Sequence, residues 1–420
     1  MAACIHLAKA GLQVMCIEPQ REFGQSVGES LDWSAPDLLR ALGLPMEQLI
    51  RDEIATYKKH VTLKLRDGSG RHYVPGDWLG RPPYSVELKT MHVDRSRLDE
   101  ALRKIAISCG VTLLHDKVIE VESAGRRVTG LKTAAGTRIC SPWFIDASGA
   151  AANLFPKTFD LRAQDYGPKK VAMWAYFSVP ELVEGTTLYA DCGNSGYMQW
   201  VWEIPIRGDK ISVGYVAPGE EIKAKRQLGL TVQDIFREKL AQYPRFDHLL
   251  KGQSEISPCV RSFRCRVHDN VSGPNWVIAG EAAAMVDPMT ANGVTAALRH
   301  AVEGADLIIR SRHRRRLPVL GRAMYNRRVA DIGKFFNCGI EKVLYEGPVR
   351  DRVGPLTAGD VYTVPAWTLN LVYSRLRPNG VVFTLLYGFV LSLFRAGANL
   401  YDRYAKSRKP ARELCGESCL

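Results

Sequence analysis

The chain has 420 residues, 46% of them apolar, and a formal net charge of +13. That composition belongs to folded globular proteins and excludes collagen-like, coiled-coil and long disordered chains; the length suggests two or three domains. No zinc-finger or RNA-reading motif accompanies the basic residues, which speaks against nucleic acid as a partner and leaves solubility or an acidic partner as the meaning of the charge.

The N-terminal elements read as half of a nucleotide-binding unit. Ala2, Ala3, Ile5, Leu7 and Ala8 are small or apolar, and residues 2–10 predict a helix that Gly11 stops. Leu12 to Ile17 is a short buried strand ending in Glu18. Helix, glycine stop, strand and terminal acid form the second half of a dinucleotide-binding βαβ unit, whose acid holds the adenosine ribose. The first half, an apolar strand and a G-x-G-x-x-G turn, would fall before Met1. Its glycines bring backbone to a pyrophosphate at a helix N-terminus, so the expectation is that the reading starts inside this unit.

Val27-Gly28-Glu29-Ser30-Leu31 forms a small-residue loop, and Asp32 to Leu44 predicts a helix with Leu38, Leu39 and Leu42 on one face. Ala55 to His60 is extended, so neighbouring side chains point to opposite faces and only one of Lys58 and Lys59 points inward. His92-Val93-Asp94-Arg95 precedes a helix over 96–107 with Ser96 as its cap. Strands over 111–114 and 118–121 follow, then a hairpin turning at Gly125 and Gly130. Trp143 to Gly149 is an apolar strand ending in Asp146 and a small turn.

Residues 160–258 carry strands rich in aromatics (Trp174, Tyr176, Phe177, Tyr189, Trp200, Trp202, Tyr215) and predict a sheet roofing the site, interrupted by an amphipathic helix over 228–250. Inside it stands W-x-W-x-I-P: Trp200, Trp202 and Ile204 share one face, and Pro205 ends the strand. Trp276 to Ala279 is a buried strand running into Gly280-Glu281. Asp287-Pro288 begins a turn, and Asn292-Gly293 opens a helix to about Ile309. The amides at that helix start favour negative charge.

After a basic run (Arg310, Arg312, His313, Arg314, Arg315, Arg316) the chain is largely helical. Val381 to Phe394 is apolar for about 14 residues, short of the ~20 a membrane span needs. It reads as a buried helix, with peripheral membrane contact through 381–394 as the alternative. Ten cysteines form no regular ladder, which predicts reduced thiols and a cytoplasmic location. No metal site is expected.

Glu18, the Gly28-Glu29-Ser30 loop, Asp94-Arg95, Asp146 to Gly149, and Gly280 to Gly293 together resemble the flavoprotein monooxygenase fold over roughly residues 1–310, a superfamily that includes geranylgeranyl reductases and halogenases. The resemblance implies an α/β fold: a Rossmann-like FAD-binding domain (1–60, 86–160, 259–310), a mixed β-sheet substrate domain (61–85, 161–258) and a helical C-terminal region (311–420). It implies FAD as cofactor. Glu18 would hold the ribose, and Gly28, Glu29, Ser30, Arg95 and Gly149 would lie about the cofactor. Gly280 and Glu281 would meet the ribityl-phosphate chain, and Asp287, Pro288, Asn292 and Gly293 the flavin ring, with halide beside the last two.

W-x-W-x-I-P is the signature by which flavin-dependent halogenases of the tryptophan halogenase type are told from hydroxylases. It implies that Trp200, Trp202, Ile204 and Pro205 screen organic substrate from the flavin while Lys58 aims the halogen. Three departures stand out. Glu281 replaces the usual Asp, Asn292 replaces Ser or Thr, and His60 to Leu63 replaces a glycine turn after the lysine. No second G-x-G-x-x-G is present for a nicotinamide, so a separate flavin reductase is the implied partner. The implied substrate is aromatic, either a small molecule or tethered to a carrier protein. A monooxygenase, a prenyl or polyene reductase, and a non-catalytic paralogue lacking the phosphate loop are the alternatives.

Overall fold

The computed structural model describes residues 1–74, 89–180, 184–191, 196–251 and 255–375, with position 182 and scattered positions from 388 to 407. The fold is α/β. Two short parallel pairs form its nucleotide-binding part: Met15–Ile17 with Thr112–Leu114, and Phe144–Asp146 with Trp276–Ile278. Helices Ala2–Lys9, Arg95–Ser108 and Gly293–Ile309 accompany them. The first lies on the last, where His6 Nε2 meets Asp306 Oδ1 at 2.7 Å. Gly11, at φ +81°, follows its last turn.

Helix Arg95–Ser108 buries Leu98, Leu102 and Ala106 at four-residue spacing, the single stripe of an amphipathic helix. Its cap is Asp94, not Ser96. The Asp94 carboxylate accepts from the Arg97 amide and the Ser96 hydroxyl, and an ionised oxygen suits a helix N-terminus better than a hydroxyl. The helix expected over 32–44 is shorter, Ala35–Leu42. Pro36 sits in its first turn, and Gly43, at φ +105°, stops it. Gly130 lies inside strand Arg127–Thr133 rather than at a turn.

An eight-stranded sheet dominates the rest. Its order is Ala284–Met285, Cys259–His268, Ala163–Ser178, Lys210–Pro218, Gln199–Arg207, Thr186–Asp191, Val61–Lys64 and Gly70–Tyr73. All neighbours are antiparallel except Thr186–Asp191 with Val61–Lys64. Residues 259–310 were expected in the FAD-binding part, and Trp276–Ile278 pairs there, but strand 259–268 pairs along the free edge of the 16-residue strand 163–178, which needs a partner for its amides and carbonyls.

Both faces of this sheet are buried. Trp174, Trp200, Trp202 and Ile204 belong to one core, and Phe177, Tyr189, Val201 and Tyr215 to another. The second core includes residues of helices Gly219–Gln227 and Val232–Leu240. The aromatics expected to roof one site are therefore divided between two faces by the two-residue period. The single helix expected over 228–250 is broken up. Thr231 and Asp234 cap 232–240 reciprocally, and Pro244 starts a separate 3₁₀ turn.

Pro205 does not end its strand, which runs on to Arg207 with a register shift between them. At such an irregularity the missing proline N–H costs little ladder bonding.

Beyond the sheet, helix Val319–Ile340 passes into a π-helical turn, Glu341–Tyr345, and then into helices Pro348–Val353 and Pro355–Arg375. No described helix is long and apolar enough to cross a membrane. The run 381–394 falls largely outside the described residues.

Candidate active site

A cavity of about 540 Å³ lies where the nucleotide-binding part meets the large sheet. The nucleotide-binding part contributes Glu18, Gly28, Arg95, Gly149, Gly280 and Gly293 to its wall; Lys58, Leu63, Trp200 and Trp202 join them there.

Strand Ala55–Lys58 carries Lys58 inward with 2% of its surface exposed. Its Nζ donates to Ser30 Oγ at 2.9 Å and to the Leu31 carbonyl at 3.1 Å, and lies 5.5 Å from the Trp33 ring centre. Burial lowers its pKa to about 8, with Asp32 pulling the other way. Lys59 points outward to Glu184 at 2.7 Å. Of the two lysines, Lys58 alone lines the cavity.

The tryptophan strand, Gln199–Arg207, is tied at two points. Trp202 Nε1 donates to Ser212 Oγ at 3.0 Å, and Ser212 donates to Glu29 Oε1 at 3.1 Å. Glu29 also accepts from Tyr176 and the Gly28 amide. Burial outweighs these bonds and raises the Glu29 pKa. Trp200 Nε1 donates to Tyr345 Oη at 2.6 Å, and Tyr345 donates to Asp287 Oδ1 at 3.1 Å. Ile204 lines the cavity with the tryptophans; Pro205 does not.

Asp287 works beneath the turn rather than in the cavity. Its carboxylate accepts from the Met289 amide and pairs with buried Lys170 at 3.0 Å. Lys170 also pairs with Glu341. Burial opposes the Lys170 charge, but Asp287 and its acidic neighbours prevail and raise the pKa. Cys265, Asp287 and Glu341 cluster closely enough to ligate a metal, yet Lys170 already supplies the cation there.

Asn292 likewise does not line the cavity; its side chain donates to Asp32, which does. Pro288 and Gly293 line the wall. Glu281, on the wall, accepts from Arg261 at 2.6 Å. Arg95 Nη1 donates to the Val27 carbonyl at 2.8 Å, and its guanidinium pairs with Asp99 at 3.1 Å.

The donor set fits FAD. Arg95 Nε is buried with no partner among the described residues, a free donor at the cavity wall. Gly28 and Gly280 are held at φ +108° and +65°, and a Cβ on Gly28 would stand 2.5 Å from Arg95 Nη1. Glu18 offers a carboxylate, and helix Gly293–Ile309 presents its N-terminal end, where anionic groups are favoured.

Sequence reasoning placed Tyr176 in the roofing sheet but missed Tyr345, Ser212, Thr186 on the wall, and His92, whose Nε2 lies 2.8 Å from Thr186 Oγ1. His92 adjoins Asp94-Arg95 and carried the one local hint; the others reach the site through long-range packing that no local pattern marks.

The tryptophan halogenase family profile matches residues 83–332, more than half of the chain. A tryptophan 2-halogenase from Chondromyces crocatus is 29% identical over 312 residues, 71% of this chain and 57% of the relative. A 1H-pyrrole-2-carbonyl-[peptidyl-carrier protein] brominase from Pseudoalteromonas luteoviolacea (strain 2ta16) is 25% identical over 324 residues, 72% of this chain and 73% of the relative. The structure of the flavin-dependent brominase Bmp2 shares the fold, with a TM-score of 0.72 at 20% identity over 96% of both chains. The chain spans 57–61% of the length of the first three curated relatives it matches. Profile, cavity and tryptophan strand converge: this chain belongs to the tryptophan halogenase family, whose cofactor is FAD.

Proposed function

We propose that this chain halogenates an aromatic substrate with reduced FAD, oxygen and halide, and that Lys58 aims the halogen. One observation carries the reading: a buried lysine that lines the same cavity as a tethered tryptophan wall. Reduced FAD, when bound, supplies the electrons with which oxygen turns halide into hypohalous acid. Glu18, Gly28, Glu29, Ser30, Arg95, Gly149, Gly280, Glu281, Pro288 and Gly293 would hold it, with Asp287 and Asn292 fixing the turn from behind.

Lys58 commits two of its three N–H groups to Ser30 and Leu31, which leaves one for the oxidant. Trp200, Trp202 and Ile204 exclude organic molecules by bulk. Val61, Leu63, Leu188 and Tyr362 give the cavity an apolar wall suited to an aromatic ring.

Two kinds of substrate fit the reading, a free aromatic and one tethered to a carrier protein. The pyrrolyl-carrier brominase among the relatives and the net charge of +13 support an acidic carrier. We also propose a separate flavin reductase and a cytoplasmic place of action.

The test supplies reduced FAD, oxygen and bromide with phenol and with indole as probes, and reads product mass. The expected product carries bromine, disappears in Lys58→Ala and persists in Lys59→Ala. A product heavier by one oxygen, or bromination that survives Lys58→Ala, would overturn the reading.

A further inference from the structure

Lys58 does not stand alone at the cavity wall. Its Nζ donates to Ser30 Oγ at 2.9 Å, Ser30 Oγ lies 3.1 Å from Thr186 Oγ1, and Thr186 Oγ1 lies 2.8 Å from His92 Nε2. All four side chains are buried, and His92 is fully so. The other ring nitrogen, His92 Nδ1, has no partner among the described residues. The imidazole is thus engaged only at the end that meets the hydroxyls.

An ammonium can only donate, so Ser30 accepts from Lys58. Each hydroxyl beyond it can donate either way. A continuous path from Lys58 needs Ser30 to donate to Thr186 and Thr186 to donate to His92 Nε2, with a neutral imidazole protonated on Nδ1. In that arrangement every bond runs from Lys58 toward His92.

We propose that His92, acting through Thr186 and Ser30, takes the proton that Lys58 must release before its amine can accept a halogen. This rests on the halogenase reading above. Lys58 gives a proton to Ser30 Oγ as Ser30 passes its own to Thr186 and Thr186 passes its own to His92 Nε2. The freed amine lone pair bonds the halogen of hypohalous acid as the halogen–oxygen bond breaks. The departing hydroxide takes the second proton from the nitrogen and leaves as water. When the halogen moves to a ring carbon, the displaced ring proton restores the amine, and the proton on His92 runs back. The carbon loses two electrons and the halogen gains them. His92 touches no reactant and is a positioning residue for the charge state of Lys58.

The groups facing the relay are Asp32, which favours the Lys58 ammonium, and His60, which with Lys58 disfavours charge on His92. Burial first, then Lys58 and His60, hold the His92 pKa well below its usual value. The proton that charges His92 also discharges Lys58, so the pocket keeps one positive charge in either arrangement, and the transfer avoids placing two cations side by side.

Three measurements decide the matter. Nitrogen-15 NMR of histidine-labelled protein, with the His92 signal assigned by its loss in His92→Gln, is expected to show the Nδ1–H tautomer; an Nε2–H tautomer reverses the chain and overturns the proposal. The second is bromination of phenol by Thr186→Val across pH. Below pH 8 its rate is expected to fall roughly 10²-fold, the usual scale of acid–base assistance. Near pH 9.5, where the Lys58 amine is already free, it is expected to approach the wild-type rate, and Thr186→Ser is expected to restore the rate at both ends.

Carbamylation of Lys58 by cyanate, read by peptide mass, should keep its midpoint near 8 in both proteins. A deficit equal at both pH values, or none at low pH, overturns the relay while leaving halogenation intact. Wild-type protein that brominates nothing at any pH removes both readings.

Discussion

At the scale of single residues, Lys58 sets function against stability. Burial lowers its pKa from 10.5 to about 8, which corresponds to roughly 3 kcal/mol. The unfolded chain keeps this proton up to about 10.5, the folded chain only to about 8. Between those values the unfolded state binds more protons, so stability rises with pH; below about 8 the whole penalty is present. Lys58→Met fills similar space without the charge but takes a donor from Ser30, while the Leu31 carbonyl keeps the Thr90 hydroxyl. At pH 7 it is therefore expected to gain roughly 1–3 kcal/mol in urea unfolding, with bromination abolished. A variant less stable than wild type would show that the ammonium is well solvated where it sits.

At the scale of elements, the tryptophan strand depends on a neighbour with no side chain. Gly214 lies opposite Trp202 on the adjoining strand, and a Cβ there would sit 2.1 Å from the Trp202 ring. Gly214→Ala is expected to cost about 1–3 kcal/mol through overpacking. It should also change tryptophan fluorescence as the bond from Trp202 to Ser212 breaks. Unchanged melting and emission would mean that the ring has room to move.

The strand's inward alternation was legible beforehand, because a two-residue period is written in adjacent letters. Its anchors were not. Tyr345 is 145 residues away from Trp200, in a π-helical turn that no propensity announces. Pro205 misled because a proline read as a stop can also sit at a register shift. Asp94 and Ser96 both suit a cap, and only the geometry chose between them.

At the scale of the molecule, the FAD-binding architecture followed from the order of short signals: Glu18, the Gly28 loop, Arg95, Gly149 and Gly280. The assignment of Cys259–His268 did not, because strand pairing across a sheet leaves no trace in local composition. The assembled cavity should behave as a ligand site for FAD. Free FAD at 100 times its dissociation constant is expected to stabilise the chain by about 2.7 kcal/mol, read as a higher melting temperature. Glu18→Ala should shrink that rise. A melting temperature indifferent to FAD would remove the cofactor assignment from these residues.

The two anchors of the tryptophan strand carry one more implication. Trp200 is moored to Asp287 through Tyr345, and Trp202 to Glu29 through Ser212. A partition fastened to both banks has no hinge, so its mesh is fixed by covalent and packing dimensions, not by a swinging gate. Warming should leave its discrimination between a halide and a ring nearly constant until the fold itself melts, and then abolish it in one step.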